Sequence, residues 1–160
     1  MRILIDTNVV IPLEDSTRVL EESLSKLVRL ASENGHQLLA HPSSYDDIAR
    51  DPDKKRRDIS LSRLRKYSTL EDPPRPAAAE LSRLGLIERD DNDRVDNEIL
   101  YALYRDAANI LVTEDRELHK KALLGRVNTN GHFYAILRTW KSPTHSIAAS
   151  RRGCRRNAAT

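Results

Sequence analysis

The sequence predicts an α/β domain, a central parallel sheet of about four strands flanked by helices on both faces. Three observations carry this. Short apolar runs recur at residues 2–5, 37–40 and 110–113. Between them, apolar residues fall at helical spacing. Strands that alternate with helices need right-handed crossovers, which lay a parallel sheet beneath two helical layers. The 160 residues suit a single domain at ~100–200 residues each, and folding at this size buries roughly 68–70% of the unfolded surface.

The elements follow in order. Arg2-Ile3-Leu4-Ile5 stops abruptly at Asp6-Thr7-Asn8, a buried strand and its exit. From Ser16 to Asn34, the residues Val19, Leu20, Leu24, Leu27, Val28 and Ala31 keep helical spacing, and Asn34-Gly35 supplies the stop. Gln37-Leu38-Leu39-Ala40 predicts the second strand, closed by His41-Pro42. Ser43 or Ser44 is placed to cap a helix through Tyr45, Ile48 and Ala49. A charged helix over Lys54–Lys66 turns Ile59, Leu61 and Leu64 inward. Residues 68–76, rich in proline, read as a linker-like loop, and a helix from Ala77 to Leu84 ends at Gly85. Asp90-Asp91-Asn92-Asp93 opens a helix that aligns Val95, Ile99, Ala102 and Leu103. Ile110-Leu111-Val112-Thr113 is the third strand, ended by Glu114-Asp115. The next helix runs through Leu118, Ala122 and Leu123 to Gly125. Val127 starts a short fourth strand, and His132 to Trp140 form a last helix.

Composition removes several function classes. Charged residues make up 32% of the chain, against ~25% in average proteins. The net charge of +3 belongs to the end of the chain. Residues 142–160 hold Arg151, Arg152, Arg155 and Arg156 and no acid, which leaves the body, residues 1–141, slightly acidic. That tail reads as a solvated, flexible end whose arginines are also suited to holding RNA electrostatically. The apolar runs are too short for a membrane span, and an acid at position 6 spoils a signal peptide, so a cytoplasmic protein is expected. One cysteine, Cys154, excludes an internal disulfide framework and a cysteine-rich zinc site. There is no Gly-x-Ser-x-Gly elbow and, with five glycines, no glycine-rich phosphate loop. A receiver-type signalling domain would want an acid pair directly after the first strand, and the chain has one acid there.

Ligands of open parallel sheets bind outside the carboxyl ends of the strands, and the acids lie where that rule points. Asp6 follows the first strand, and Glu114 and Asp115 follow the third. Asp46 and Asp47 lie on the helix that leaves the second strand, and Asp93 and Asp96 open the helix that leads into the third. Carboxylates crowded together raise one another's pKa and cannot all ionise unaided. A hard divalent cation removes the conflict. Ligation by acids, without a histidine or cysteine cluster, favours Mg²⁺ or Mn²⁺ and phosphoryl chemistry.

Ile5-Asp6-Thr7-Asn8-Val9, the acidic pair after the second strand, Asp96-Asn97-Glu98-Ile99-Leu100-Tyr101-Ala102-Leu103 and Leu111-Val112-Thr113-Glu114-Asp115 together resemble the PIN-domain family, over roughly residues 1–130. That family includes metal-dependent ribonucleases, many of them VapC-like toxins of toxin–antitoxin pairs. The segment from Thr113 to His119 is also similar to PIN domains that precede an acetyltransferase-like half in longer proteins. The resemblance implies a PIN-like fold with Asp6, Asp96 and Asp115 as metal-binding acids. Asp47 is the remaining catalytic acid, where the family usually has Glu; spacing from Pro42 favours it over Asp46. Thr7, Asn8 and Thr113 would orient ligands or water, with Asp93 and Glu114 beside the acids. One or two Mg²⁺ or Mn²⁺ ions, an RNA substrate, an antitoxin partner and a homodimer follow from the same resemblance. So does hydrolysis that leaves a 5′-phosphate and a 3′-hydroxyl. Two other functions compete, a PIN-like RNA- or protein-binding module without turnover and a structure-specific DNA nuclease.

Each residue also has a plainer use. Asp6 would serve as a polar strand terminator and Asp115 as a helix N-cap. Asp93 and Asp96 complement a helix dipole in a capping-box pattern. Asp47 lies four residues before Asp51, a mildly unfavourable like-charge pair. Glu98 and Glu114 read as solvated or supporting groups, His119 as a surface histidine and Lys54–Arg57 as a solvated helix face. His36, His41, His132 and His145 show no ligand spacing.

Overall fold

The computed structural model describes residues 1–124 apart from residues 16 and 18. The fourth strand expected at Val127, the helix from His132 to Trp140 and the basic tail lie outside the described residues. Four strands form one sheet: β1 (Arg2–Ile5), β2 (Gln37–Ala40), β3 (Ser68–Thr69) and β4 (Ile110–Val112), in the order β3-β2-β1-β4 with every pairing parallel. The helices are α1 (Thr7–Leu13), α2 (Glu22–Glu33), α3 (Pro42–Ala49), α4 (Lys54–Leu64), α5 (Ala78–Leu84), α6 (Asp91–Tyr104) and α7 (Arg116–Leu124).

Period-two alternation sends successive side chains of each strand to opposite faces, and two cores result. On β1, Leu4 joins Leu39 of β2, Leu111 of β4 and the apolar sides of α5, α6 and α7, including Leu84, Ile99, Leu100 and Leu118. Ile3 and Ile5 point the other way. They pack with Ala40, Val112 and the inner faces of α1 to α4, among them Val9, Leu24, Ile48 and Leu64. A four-residue apolar strand buried on both sides is what a covered parallel sheet requires. Among the described residues no helix is long and apolar enough to cross a membrane.

The helix ends follow local chemistry. Asn34 ends α2 and Gly35 takes a left-handed φ of 62° after it, while Gly85, at φ 68°, ends α5 in the same conformation. Asp90 caps α6 by accepting from the Asp93 N–H at 2.8 Å. Beyond α6, the Asn109 side chain accepts from the Arg2 N–H at 2.8 Å, and the Asn109 N–H donates to the Arg2 carbonyl at 2.9 Å. These two bonds clip the start of β4 to the start of β1.

The structure corrects the sequence reading in three places. The expected linker loop over residues 68–76 opens with β3, two exposed residues that pair with Leu39 and Ala40. The helix expected from Ser16 begins only at Glu22, and Thr7–Leu13 forms a separate helix. The cap of α3 is the His41 ring, whose Nδ1 accepts from the Ser43 N–H at 3.2 Å, in place of a serine.

Candidate functional site

The chain runs outward from β1 through β2 to β3, then returns to place β4 on the other side of β1. This reversal puts the topological switch between β1 and β4, where ligands of open parallel sheets bind. Asp6 leaves the first of those strands. Asp115 lies just beyond the second.

The Asp6 N–H continues the ladder to the Val112 carbonyl at 3.0 Å, which fixes the backbone beneath the carboxylate. Its Oδ1 accepts from the Thr7 N–H at 2.7 Å and from the Thr7 hydroxyl at 3.3 Å, and so caps α1. Its Oδ2 accepts from the Thr113 hydroxyl at 2.6 Å. Thr113, 2% exposed, makes full use of that hydroxyl, accepting also from Asn8 Nδ2 at 3.3 Å and from the Asp115 N–H at 3.0 Å. The Asn8 side-chain oxygen accepts from the Glu114 N–H at 3.1 Å. Thr7, Asn8 and Thr113 therefore tie the exits of β1 and β4 into one hydrogen-bonded frame around Asp6. Asp115 caps α7 through Oδ1, which accepts from the N–H groups of Glu117 at 2.7 Å and Leu118 at 3.3 Å. That cap does not engage its other oxygen.

The electrostatics join a third acid to these two. Burial pushes the Asp6 carboxyl above the ordinary carboxylate value of 3.8; the Thr113 and Thr7 bonds oppose the rise, and the charge of Asp115 adds to it. Burial likewise raises Asp96, Lys121 holds it down, and the charges of Asp115 and Asp6 push it up again. The charge of Asp115 thus acts on Asp6, and the charges of both act on Asp96, across the mouth of the sheet. An all-carboxylate donor set of this kind fits a hard divalent cation, which needs only one or two carboxylates beside waters and substrate oxygens. Yet among the described residues no three carboxylate, imidazole or thiol groups are gathered closely enough to hold a metal ion. Asp96 Oδ2 is taken instead by Lys121 Nζ, at 2.6 Å.

The other predicted acids stand elsewhere. Asp93 is buried and saturated. It accepts from Arg89 Nε at 2.7 Å, Arg89 Nη2 at 3.2 Å and the Arg89 N–H at 3.0 Å, and pairs with Lys121 at 2.5 Å. These bonds, the Arg89 guanidinium foremost, hold its carboxyl far below the ordinary range. Asp46 is exposed. Asp47 pairs with Arg50 at 2.7 Å, and Arg50 also reaches the Asn92 side-chain oxygen at 3.0 Å. With Thr7, Arg56 and Asn92, this pair lines a cavity of about 340 Å³ beside the Asp6 frame.

Sequence reasoning missed two groups. Lys121 lies on an ordinary amphipathic helix, and nothing in its spacing marks it. His41, with Ser43 and Glu98, forms a buried polar cluster at the end of β2. The Ser43 hydroxyl donates to Glu98, and His41 Nε2 is buried with no hydrogen-bond partner among the described residues. Desolvation pulls the His41 pKa down to about 4, against the opposing charge of Glu98. His119, expected at the surface, is only half-exposed, and its Nε2 is buried with no hydrogen-bond partner among the described residues.

No family model and no curated protein matches the chain. Among solved structures it is similar to VapBC2 from Rickettsia felis bound to a DNA fragment from their promoter, with a TM-score of 0.49 and 13% identity over 84% of this chain and 98% of that one.

Proposed function

We propose that the chain is a PIN-type, metal-dependent ribonuclease that hydrolyses phosphodiester bonds of RNA, and a VapC-like toxin with an antitoxin partner. The observation that carries this reading is the pair Asp6 and Asp115 at the exits of adjacent parallel strands, with the charges of both acting on Asp96. Isolated surface acids would not be framed by a buried threonine or raised by burial, with a neighbouring carboxylate adding to the rise. The sequence motifs that resemble those of PIN domains support the same three residues in these roles.

Asp6, Asp96 and Asp115 would hold one or two Mg²⁺ or Mn²⁺ ions. A bound ion supplies Lewis-acid activation of a water and neutralisation of charge at the phosphodiester. The chain's own residues prepare that chemistry. Thr113 and Thr7 fix the Asp6 carboxylate, so little reorganisation is needed when it takes up a ligand. The α7 cap fixes Asp115. Asp47 would act from the neighbouring cavity, where its partner Arg50 would offer a guanidinium to a substrate phosphate. Displacement in line would leave a 5′-phosphate and a 3′-hydroxyl.

The test is cleavage of labelled single-stranded RNA with Mn²⁺ or Mg²⁺, set against EDTA and Asp6→Asn. Cleavage that needs both the metal and Asp6 is the expected result. Cleavage untouched by Asp6→Asn would sink the mechanism. Preferential cutting of DNA in competition would redirect the reading to a DNA nuclease. Stoichiometric RNA or protein binding insensitive to the carboxylates would favour a module without turnover.

A further inference from the structure

The ribonuclease reading, on which this inference rests, leaves the basic start of α4 without a role. Residues 50–66 hold eight basic side chains and three acids, in a body that is otherwise acidic. Four of the eight, Lys54-Lys55-Arg56-Arg57, fill the first turn of α4, which contains no acid. The field at the start of a helix disfavours cations there. Two of the four have a structural use. Arg56 Nη2 donates to Asp51 Oδ1 at 2.6 Å and Arg57 Nη1 to the Asp51 carbonyl at 2.8 Å, which ties α4 to the turn before it. Lys54 and Lys55 are exposed, and neither pairs with an acid among the described residues.

We propose that this basic patch is where a single-stranded RNA lies by its phosphates on the way to the candidate site, with Lys54 and Lys55 each neutralising a phosphate. Charge complementarity selects the occupant. Unpaired ammonium groups on flexible stems suit a mobile phosphate backbone and hold it without reading its bases. Position selects the route. Arg56, in the same turn, lines the cavity of about 340 Å³ together with Ser60 of α4, Arg50 and Asn92. Thr7 lines it too, and donates both its N–H and its hydroxyl to Asp6. A strand held on α4 thus reaches the exit of β1 through that cavity. Cations that work against their own helix break a local rule, and the strand they hold accounts for them.

Fluorescence anisotropy of a labelled oligouridylate tests this, with the full chain in EDTA and salt as the variable. The double variant Lys54→Ala, Lys55→Ala removes two phosphate contacts, each worth ~0.7 in the slope of log K against log salt for a single strand. That slope should flatten by about 1.4, and at about 0.1 M salt binding should weaken roughly twentyfold. The variant should melt at or above the wild-type Tm, because its helix loses two opposed cations. The double variant Lys26→Ala, Arg29→Ala removes two cations of α2 that pair along their own helix, and should leave the slope as it is. An unchanged slope in the α4 variant overturns the proposal and leaves the ribonuclease reading standing. So does an equal flattening by the α2 variant, which would make the effect one of net charge. No RNA binding by wild type overturns both.

Discussion

Replacing Thr113 with valine tests whether the frame around Asp6 is what holds the site together. The two side chains are nearly the same shape, so packing in this buried position is kept while the hydroxyl is lost. That hydroxyl makes three bonds, at 2.6 Å to Asp6 Oδ2, 3.0 Å from the Asp115 N–H and 3.3 Å from Asn8 Nδ2. The bond to a carboxylate is worth ~1.5–3 kcal/mol, and a buried N–H left without an acceptor costs ~1–3 kcal/mol. The long bond from Asn8 adds little. Since the terms overlap, a loss of about 2–4 kcal/mol is expected, within the ~5–15 kcal/mol that holds a typical domain. For a chain of this size that lowers Tm by roughly 5–15 °C. Urea unfolding of wild type, Thr113→Val and Thr113→Ser in EDTA reads it directly. Serine keeps the hydroxyl and loses one methyl, so it should recover all but about 1 kcal/mol. A valine variant within 0.5 kcal/mol of wild type, or a serine variant as unstable as the valine one, would refute the frame. With metal present, valine should also depress RNA cleavage, because Asp6 would lose the donor that aims it.

Three further outcomes follow from the same geometry. In EDTA, ionised Asp6 works against the folded state at neutral pH, because its folded pKa lies above 3.8; that penalty is relieved as pH falls through the folded pKa. Asp6→Asn should therefore gain on wild type in urea midpoint at pH 7 and lose that advantage towards pH 4. His41 is held down to about 4 against an ordinary 6.5, so the folded chain binds fewer protons than the unfolded one between those values and stability falls as pH drops through that window. His41→Asn, which keeps a cap acceptor, should remove this component from the pH profile. Leu100 on α6 is fully buried in the core beneath the site, and Leu100→Ala should cost ~2–5 kcal/mol in chemical denaturation.

The sheet was legible because burial on both faces leaves a strong mark, a run such as Ile3-Leu4-Ile5 cut off by an acid. β3 left none. Two exposed residues in a proline-rich stretch carry no periodicity, and Ser68 and Thr69 pair only because Leu39 and Ala40 offer a free edge. α1 was hidden for another reason. Asp6-Thr7-Asn8 reads as a strand ending, and the same Asp6 that ends β1 also caps the helix that begins at Thr7. One side chain was serving two elements, and the sequence pattern showed only the first.

That double use explains how the acidic site and the plainer uses of its residues coexist. From the sequence, Asp115 reads as either a helix cap or a metal ligand. In the structure the cap uses Oδ1 and not the other oxygen, so a group fixed as a cap keeps an oxygen that the cap does not engage. Thr113 satisfies a backbone N–H and steers Asp6 with the same hydroxyl. Asp93 illustrates the opposite case. Predicted beside the metal acids, it is so fully bonded to Arg89 and Lys121 that its charge is already spent on holding α6 and α7 together. The difference between Asp93 and Asp96, three residues apart, is set by Arg89, whose guanidinium and N–H go to Asp93, whereas Lys121 on α7 reaches both. Strand-end acids are therefore readable from sequence, since the sheet itself fixes where they go. A helix-borne acid such as Asp96 takes its partner, Lys121, from the neighbouring helix, and the structure is needed to tell a candidate ligand from a structural anchor.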